Sequence, residues 1–319
     1  MATPGELILP TVPETLSGPA DVFVNLPSGK PLHEDRASDL LRANLVPIVV
    51  LAGAAKSGKT TLLASLHDSF QRGPFAGYIA AGSRTLMGFE ERCFDSRAAS
   101  GAEEPATLRT RPAEGLLFYH MKLRNENLET PTKHVLLADM SGEHYSGALD
   151  SGAEMRALTI IRRADHFVHL IDGAKLVSRD LSAQTQSNAM MLMRRCFEEE
   201  MIESDAKIDI LLTKWDIALC LCGEHKAQEI LMSQRDAFVR GFGSRVARLR
   251  VAAVAARPHY KSPLPPAYGL GDLLRSWVDE PPRKFDTQSR LFRSAALNTG
   301  FDIFALREAP DLFERSPDA

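Results

Sequence analysis

The apolar positions of this chain fall into short unbroken runs separated by longer amphipathic stretches. Ile48-Val49-Val50-Leu51 is rich in β-branched residues and shows no polar alternation, which predicts a strand covered on both faces. Runs of the same kind recur at Gly115–Leu123, His134–Ala138, His166–Ile171, Ile208–Leu212 and Leu249–Val254. Between them, helical spacing is read at Lys59–Gln71, Met155–Arg163, Arg179–Ile202, His225–Gly241 and Leu270–Val278. Strands alternating with helices predict an α/β fold of three layers, a mostly parallel sheet with helices on both faces. No internal repeat of solenoid or propeller length is visible.

Three stretches lie outside that rhythm. Residues 1–44 carry prolines at 4, 10, 13, 19, 27 and 31 and little periodicity. They read as an extended arm with a short strand at Asp21–Val24 and a helical turn near Asp35–Arg42. Residues 45–282 form the main domain, with an insertion at about 78–114. Its Gly82–Arg111 part is long, polar and arginine-rich, with a candidate helix at Phe89–Ser100, and such loops in a compact domain are usually functional or mobile. Residues 283–319 read as a C-terminal extension with short helical patterns and polar ends.

Composition narrows the function classes. With 319 residues the chain suits one large domain with tails or two small ones, and 44% apolar with 25% charged residues is ordinary for a globular protein. A net charge of −3 and a pI near 6.3 create no field that would draw nucleic acid or an anionic membrane, so a polyanion must be met by a local site. The longest apolar runs, Pro47–Ala55 and Ile217–Cys222, are far short of the ~20 residues a membrane span needs. The N-terminal stretch has no basic segment followed by an apolar one, so no secretory signal is read and a cytoplasmic location is expected. Cys93, Cys196, Cys220 and Cys222 form no CxxC pair and no zinc-like set with histidines. Neither a disulfide framework nor a structural metal is expected, and Cys220 and Cys222 are read as small buried hydrophobes.

The chemistry is carried by motifs at strand ends. Gly53-Ala54-Ala55-Lys56-Ser57-Gly58-Lys59-Thr60 matches GxxxxGK[ST] without a mismatch, between the first strand and the first helix of the domain. Glycines let the backbone curl so that successive N–H groups point inward as an anion nest, and the helix from Lys59 adds its positive N-terminal end. Gly53, Ala55, Lys56, Ser57, Gly58 and Thr61 are therefore read as phosphate-loop contacts. Lys59 is read as reaching the β- and γ-phosphates and Thr60 as a Mg²⁺ ligand. Asp139-Met140-Ser141-Gly142 follows the strand His134–Ala138. Asp139 is placed to hold Mg²⁺ through a water, and Gly142, lacking a Cβ, can bring its N–H close to a γ-phosphate.

Thr213-Lys214-Trp215-Asp216, closing the strand Ile208–Leu212, resembles the [NT]KxD base-recognition motif of GTPases in the TRAFAC group of P-loop proteins. The resemblance covers roughly Leu45–Val278 and implies GTP or GDP as the bound nucleotide, with Mg²⁺. It implies that Asp216 accepts hydrogen bonds from guanine N1–H and the 2-amino group, while the Lys214 stem lies along the base and Thr213 completes the motif. Adenine offers no matching donors, so a buried carboxylate would be left unpaired against ATP. Trp215 reads as a packing residue. Val254-Ala255-Ala256-Arg257 resembles the [ST]A[KR] loop whose backbone N–H meets guanine O6, with Ala255 in place of the hydroxyl residue, which brings Ala256 and Arg257 into the base site. The text from Gly82 to Arg92 resembles the double-GTPase proteins of bacterial conflict systems.

The chain also departs from the group's pattern. Glu143 stands where many relatives place a water-orienting glutamine, with His144 one position later. A glutamate can polarise water, but its charge repels the γ-phosphate, so slow hydrolysis or dependence on a protein partner is expected. A switch threonine that closes over Mg²⁺ is read as Thr110, with Thr107 second, and Arg84, Arg92, Arg97, Arg109 and Arg111 share the stretch from which a finger arginine would come. The stretch is expected to order around γ-phosphate and Mg²⁺. The residues thus admit a slow GTPase switch, with Lys59, Glu143 and Thr110 in the catalytic roles, or a GTP-sensing scaffold that does not turn over. An ATPase or kinase would leave Asp216 without a role.

Overall fold

In the computed structural model, which describes residues 27–94, 112–127 and 130–282, the unbroken apolar runs become strands of one seven-stranded sheet. They are β1 (Ile48–Ala52), β2 (Tyr78–Gly82), β3 (Leu117–Asn125), β4 (Lys133–Asp139), β5 (His166–Asp172), β6 (Lys207–Thr213) and β7 (Arg248–Ala253). Their order across the sheet is β2-β3-β4-β1-β5-β6-β7. The five strands from β4 to β7 are mutually parallel, and β3 runs antiparallel to both β2 and β4. The short β3–β4 connection allows only a hairpin, whereas each parallel step needs a crossover.

Successive residues of β1 feed opposite faces of the sheet. Ile48, Val50 and Ala52 enter one hydrophobic cluster, and Val49 and Leu51 enter the other. The first cluster is filled by α1 (Glu34–Ala43), α4 (Gly142–Asp150), α5 (Gly152–Ala157), α7 (Ser182–Glu198) and α8 (Trp215–Phe242). The second is filled by α2 (Lys59–Gln71), α3 (Leu86–Phe94) and α9 (Leu270–Asp279). Each fully buried aliphatic or aromatic side chain contributes about 1.5–3 kcal/mol, so helices on both faces are the arrangement these doubly apolar strands demand. A short helix, α6 (Gly173–Val177), follows β5. No helix among the described residues is long and apolar enough to cross a membrane.

The departures from the sequence pattern have local reasons. β2 lies inside the insertion and pairs with the far end of β3. Where β2 stops, Leu32 takes its place, exchanging backbone hydrogen bonds of 2.9 Å with Phe118. The stretch 155–163 is not one helix: α5 ends at Ala157, and a 3₁₀ turn covers Thr159–Arg163. The first part of α8 takes in Ile217–Cys222, and the chain kinks at Gly223, whose φ is 76°. That helix buries Trp215 and Ala218 but turns Leu221 and Cys220 to solvent and leaves Cys222 half-buried, so these two cysteines are not the buried hydrophobes expected. Asp21–Val24, Asp95–Ser100, Thr107, Thr110, Arg97, Arg109 and Arg111 lie outside the described residues.

Three buried histidines make the fold sensitive to acid. Burial pulls His120 and His166 down to about 3 and His169 down to about 4. The unfolded chain takes up protons below about pH 6.5, where these native rings stay neutral, so stability present above that pH is lost as pH falls toward 4. For His169 alone, the loss between pH 6.5 and 5.5 is about 1 kcal/mol. Chemical denaturation across that interval should show the slope, and His169→Gln should flatten it in proportion.

Candidate functional site

The C-terminal ends of β1, β4, β5 and β6 gather the motifs on one edge of the sheet. After β1 the chain curls through Gly53–Gly58 with positive φ at Gly53 (146°), Lys56 (64°) and Gly58 (99°). Gly53 is required by space as well as by φ, since a Cβ there would lie 2.5 Å from the Leu170 carbonyl oxygen. Gly58 opens α2, whose N-terminus carries no side-chain cap. A helix end of this kind, entered from a curled glycine loop, presents backbone N–H groups to an anion. Lys59 is buried beside the loop. Its ammonium donates to the carbonyl oxygens of Gly53 (2.7 Å) and Ala54 (3.2 Å) and lies 5.7 Å from the Tyr145 ring centroid.

The Thr213–Asp216 segment is fastened directly to this loop. Thr213 Oγ1 lies 2.7 Å from the Ser57 carbonyl oxygen and 3.1 Å from that of Ile171, tying the end of β6 to the phosphate loop across 156 residues of sequence. Lys214 follows in a left-handed conformation, φ 52°, and α8 starts behind it. Trp215 is in the core, as its packing role requires. Asp216 is 8% exposed, and its Oδ2 accepts the His259 backbone N–H at 2.9 Å. The segment after β7 is held by an Ala255–Tyr268 bridge and a hydrogen bond from Ala267 N–H to the Ala256 carbonyl. The Arg257 guanidinium reaches back to Asp68 on α2, 2.7 Å away, and so braces this loop against the phosphate-loop helix.

Asp139 ends β4 with its side chain fully buried, paired in register with Leu51 just before the phosphate loop. Its negative charge helps to raise the Tyr145 hydroxyl far above its ordinary range, although burial is the larger cause. Thr60 stands in the first turn of α2. One carboxylate and one hydroxyl suit Mg²⁺, which keeps waters and phosphate oxygens as further ligands, and among the described residues no cluster of three or more His, Cys, Asp or Glu forms a protein cage. Gly142 opens α4 against the loop: a Cβ there would lie 2.2 Å from the Ala55 nitrogen. Glu143 sits in the first turn of α4, where its carboxylate accepts a hydrogen bond from the Ser141 hydroxyl.

Two arginines of the insertion are described. Arg92 is buried in α3, donating to the Tyr119 hydroxyl (2.9 Å) and to Glu114 (2.6 Å), so it is a structural group and not a finger. Arg84 is exposed, and its backbone N–H donates to His120 Nδ1. Sequence reasoning missed Asp172 at the end of β5, whose carboxylate meets the Lys214 ammonium at 2.6 Å. The signal was present as an acid directly after the strand run His166–Ile171. A cleft of about 180 Å³, lined by residues of α4 and α7, opens beside the phosphate loop, with Ala55, Tyr145, His169 and Asn188 among its walls.

Residues 44–278 match the family model described as Double-GTPase 2. No curated protein matches the chain in sequence. Among solved structures, the signal recognition particle receptor SRb-GTP/SRX complex from Chaetomium thermophilum is 14% identical over 72% of this chain and 98% of that one, with a TM-score of 0.41. The S. cerevisiae Ski7 GTPase-like domain bound to GDP and inorganic phosphate is 13% identical over 79% of this chain and 54% of that one, with a TM-score of 0.42.

Proposed function

The chain belongs to the Double-GTPase 2 family, and from that membership we propose that it binds GTP and GDP with Mg²⁺ and hydrolyses GTP slowly as a molecular switch. The observation that supports the reading is the bond between Thr213 and the Ser57 carbonyl, which ties the glycine loop to the strand end that carries Thr213–Asp216. In that site the phosphate-loop amides and Lys59 neutralise and position the phosphates, and Asp216 reads the base. Thr60 and Asp139 would hold Mg²⁺, with Thr110 closing over it; the ion supplies charge neutralisation at the β- and γ-phosphates. Support for switching comes from α4, which starts against the loop at Gly142, where a Cβ would lie 2.2 Å from the Ala55 nitrogen. The setting in a bacterial conflict system, with a protein partner or effector, is part of the same proposal and rests on the family resemblance.

One observation favours a second reading, a GTP-sensing scaffold without turnover. The Glu143 carboxylate is engaged by Ser141, which draws it back toward its own helix start. Single-turnover hydrolysis with the purified chain separates the two. Release of phosphate from bound GTP on a timescale of minutes to hours supports the switch, whereas GTP recovered intact after a day supports the scaffold. Binding of ATP as tight as that of GTP in competition would sink both.

A further inference from the structure

We propose that Asp172 is a positioning residue for guanine-nucleotide binding: it anchors the Lys214 ammonium so that the lysine stem forms a fixed wall of the base site. The inference rests on the reading above that Thr213–Asp216 receives the base. Its own support is a single turn, where β5 meets α6, that is built against the base motif. Asp172 pairs in register with Thr213. Gly173 leaves room for the Thr213 carbonyl oxygen, which would lie 2.5 Å from a Cβ at that position, and places the turn beside the Trp215 ring.

The two Asp172 oxygens divide the work. Oδ1 accepts the Lys175 N–H at 3.2 Å and caps α6, which fixes the carboxylate. Oδ2 meets the Lys214 ammonium at 2.6 Å. The carboxylate is nearly buried, with 7% of its side chain exposed, while the lysine side chain is 35% exposed. A capped, buried acid is therefore the rigid partner and the lysine the guided one. Lys214 needs guidance: its left-handed backbone is a strained state for a residue with a Cβ, and it persists where surrounding contacts over-determine it. Without the anchor, the long stem regains its rotamers and must be re-ordered each time a base enters.

The effect belongs to the base and not to the phosphates, so GDP and GTP should be affected alike. Asp172→Asn tests this, because the amide oxygen still caps α6 while the ion pair is lost. In the full chain, GDP and GTP affinities are expected to fall about tenfold each, through faster release, with the unfolding midpoint little changed. The same substitution in a Lys214→Ala background should change nothing further, since the partner is already gone. Wild-type affinity in Asp172→Asn overturns the inference, as does a loss that simply adds to that of Lys214→Ala. If Asp172→Asn fails to fold, Asp172→Ser serves instead, its hydroxyl oxygen able to cap α6 without the charge. A similar tenfold loss supports the anchor, and full affinity overturns it. A wild-type chain that binds no guanine nucleotide at all would instead refute the functional reading on which the inference rests.

Discussion

Replacing Asp216 by Asn is expected to weaken GTP binding by about 1.5–3 kcal/mol and to turn preference toward xanthosine triphosphate. The proposed contact is a carboxylate accepting from guanine N1–H and the 2-amino group. Xanthine presents a carbonyl where guanine presents that amino group, so an amide donor becomes the better partner. The structure explains why the variant should remain folded. Oδ2 of Asp216 accepts the His259 N–H, and the amide oxygen of an asparagine can accept the same bond while its nitrogen takes the other branch. The loop after β7 thus keeps its tie to α8, and only the edge offered to the base changes. Isothermal titration with GTP and XTP on the folded variant checks this. Unchanged GTP affinity would remove base recognition from the motif.

The central strands were readable because both of their faces are buried, so apolar residues run without a break and need no tertiary context to be recognised. β2 was not, because Tyr78–Gly82 is a short edge strand with only Tyr78 fully buried and with two alanines and a glycine among its five residues. It exists because β3 offers it a partner, a fact that lies 40 residues away in the chain. α4 was hidden for a related reason. Its nine residues include two glycines, Gly142 and Gly147, and helical propensity cannot announce a helix held by Tyr145 and Ala148 against the core. Cys220 and Cys222 escape the expected burial because a short apolar run does not declare which of its residues face the core once it forms a helix, and α8 turns this end of the run outward.

Within the site, what could be read was what the backbone chemistry demands locally. The glycines of the phosphate loop, the acid at the end of β4 and the threonine at the end of β6 could be read because each stands directly after an apolar strand run that marks its place. Side-chain partnerships across elements were not legible. Arg92 could be a finger or a strut on sequence grounds, and only the Tyr119 hydroxyl and Glu114 decide it. Asp172 and Lys214 are 42 residues apart, and their pairing follows from the parallel register of β5 and β6.

Lys59→Ala is expected to lower GTP affinity a hundredfold or more, about 3 kcal/mol for lost charge-assisted bonds to two phosphates, and to lower GDP affinity less. The sequence pattern aims this side chain at the β- and γ-phosphates, and the structure finds it 6% exposed, spanning the loop carbonyls of Gly53 and Ala54. The lysine therefore has a structural share that must be separated from its phosphate share. The structural share is small, because those carbonyls can be satisfied by water once the ammonium is gone, and the net worth of such bonds is about 1 kcal/mol. The loop also keeps its independent tie from Thr213 to the Ser57 carbonyl. Cooperative unfolding should consequently survive with a modest drop in midpoint. Lys59→Met divides the two shares further, since it retains an aliphatic stem of similar length and removes the charge. The methionine variant should recover stability and remain as defective in triphosphate binding as the alanine variant. If it bound GTP within about threefold of the wild type, less than the worth of one charged hydrogen bond, the ammonium would have no phosphate role.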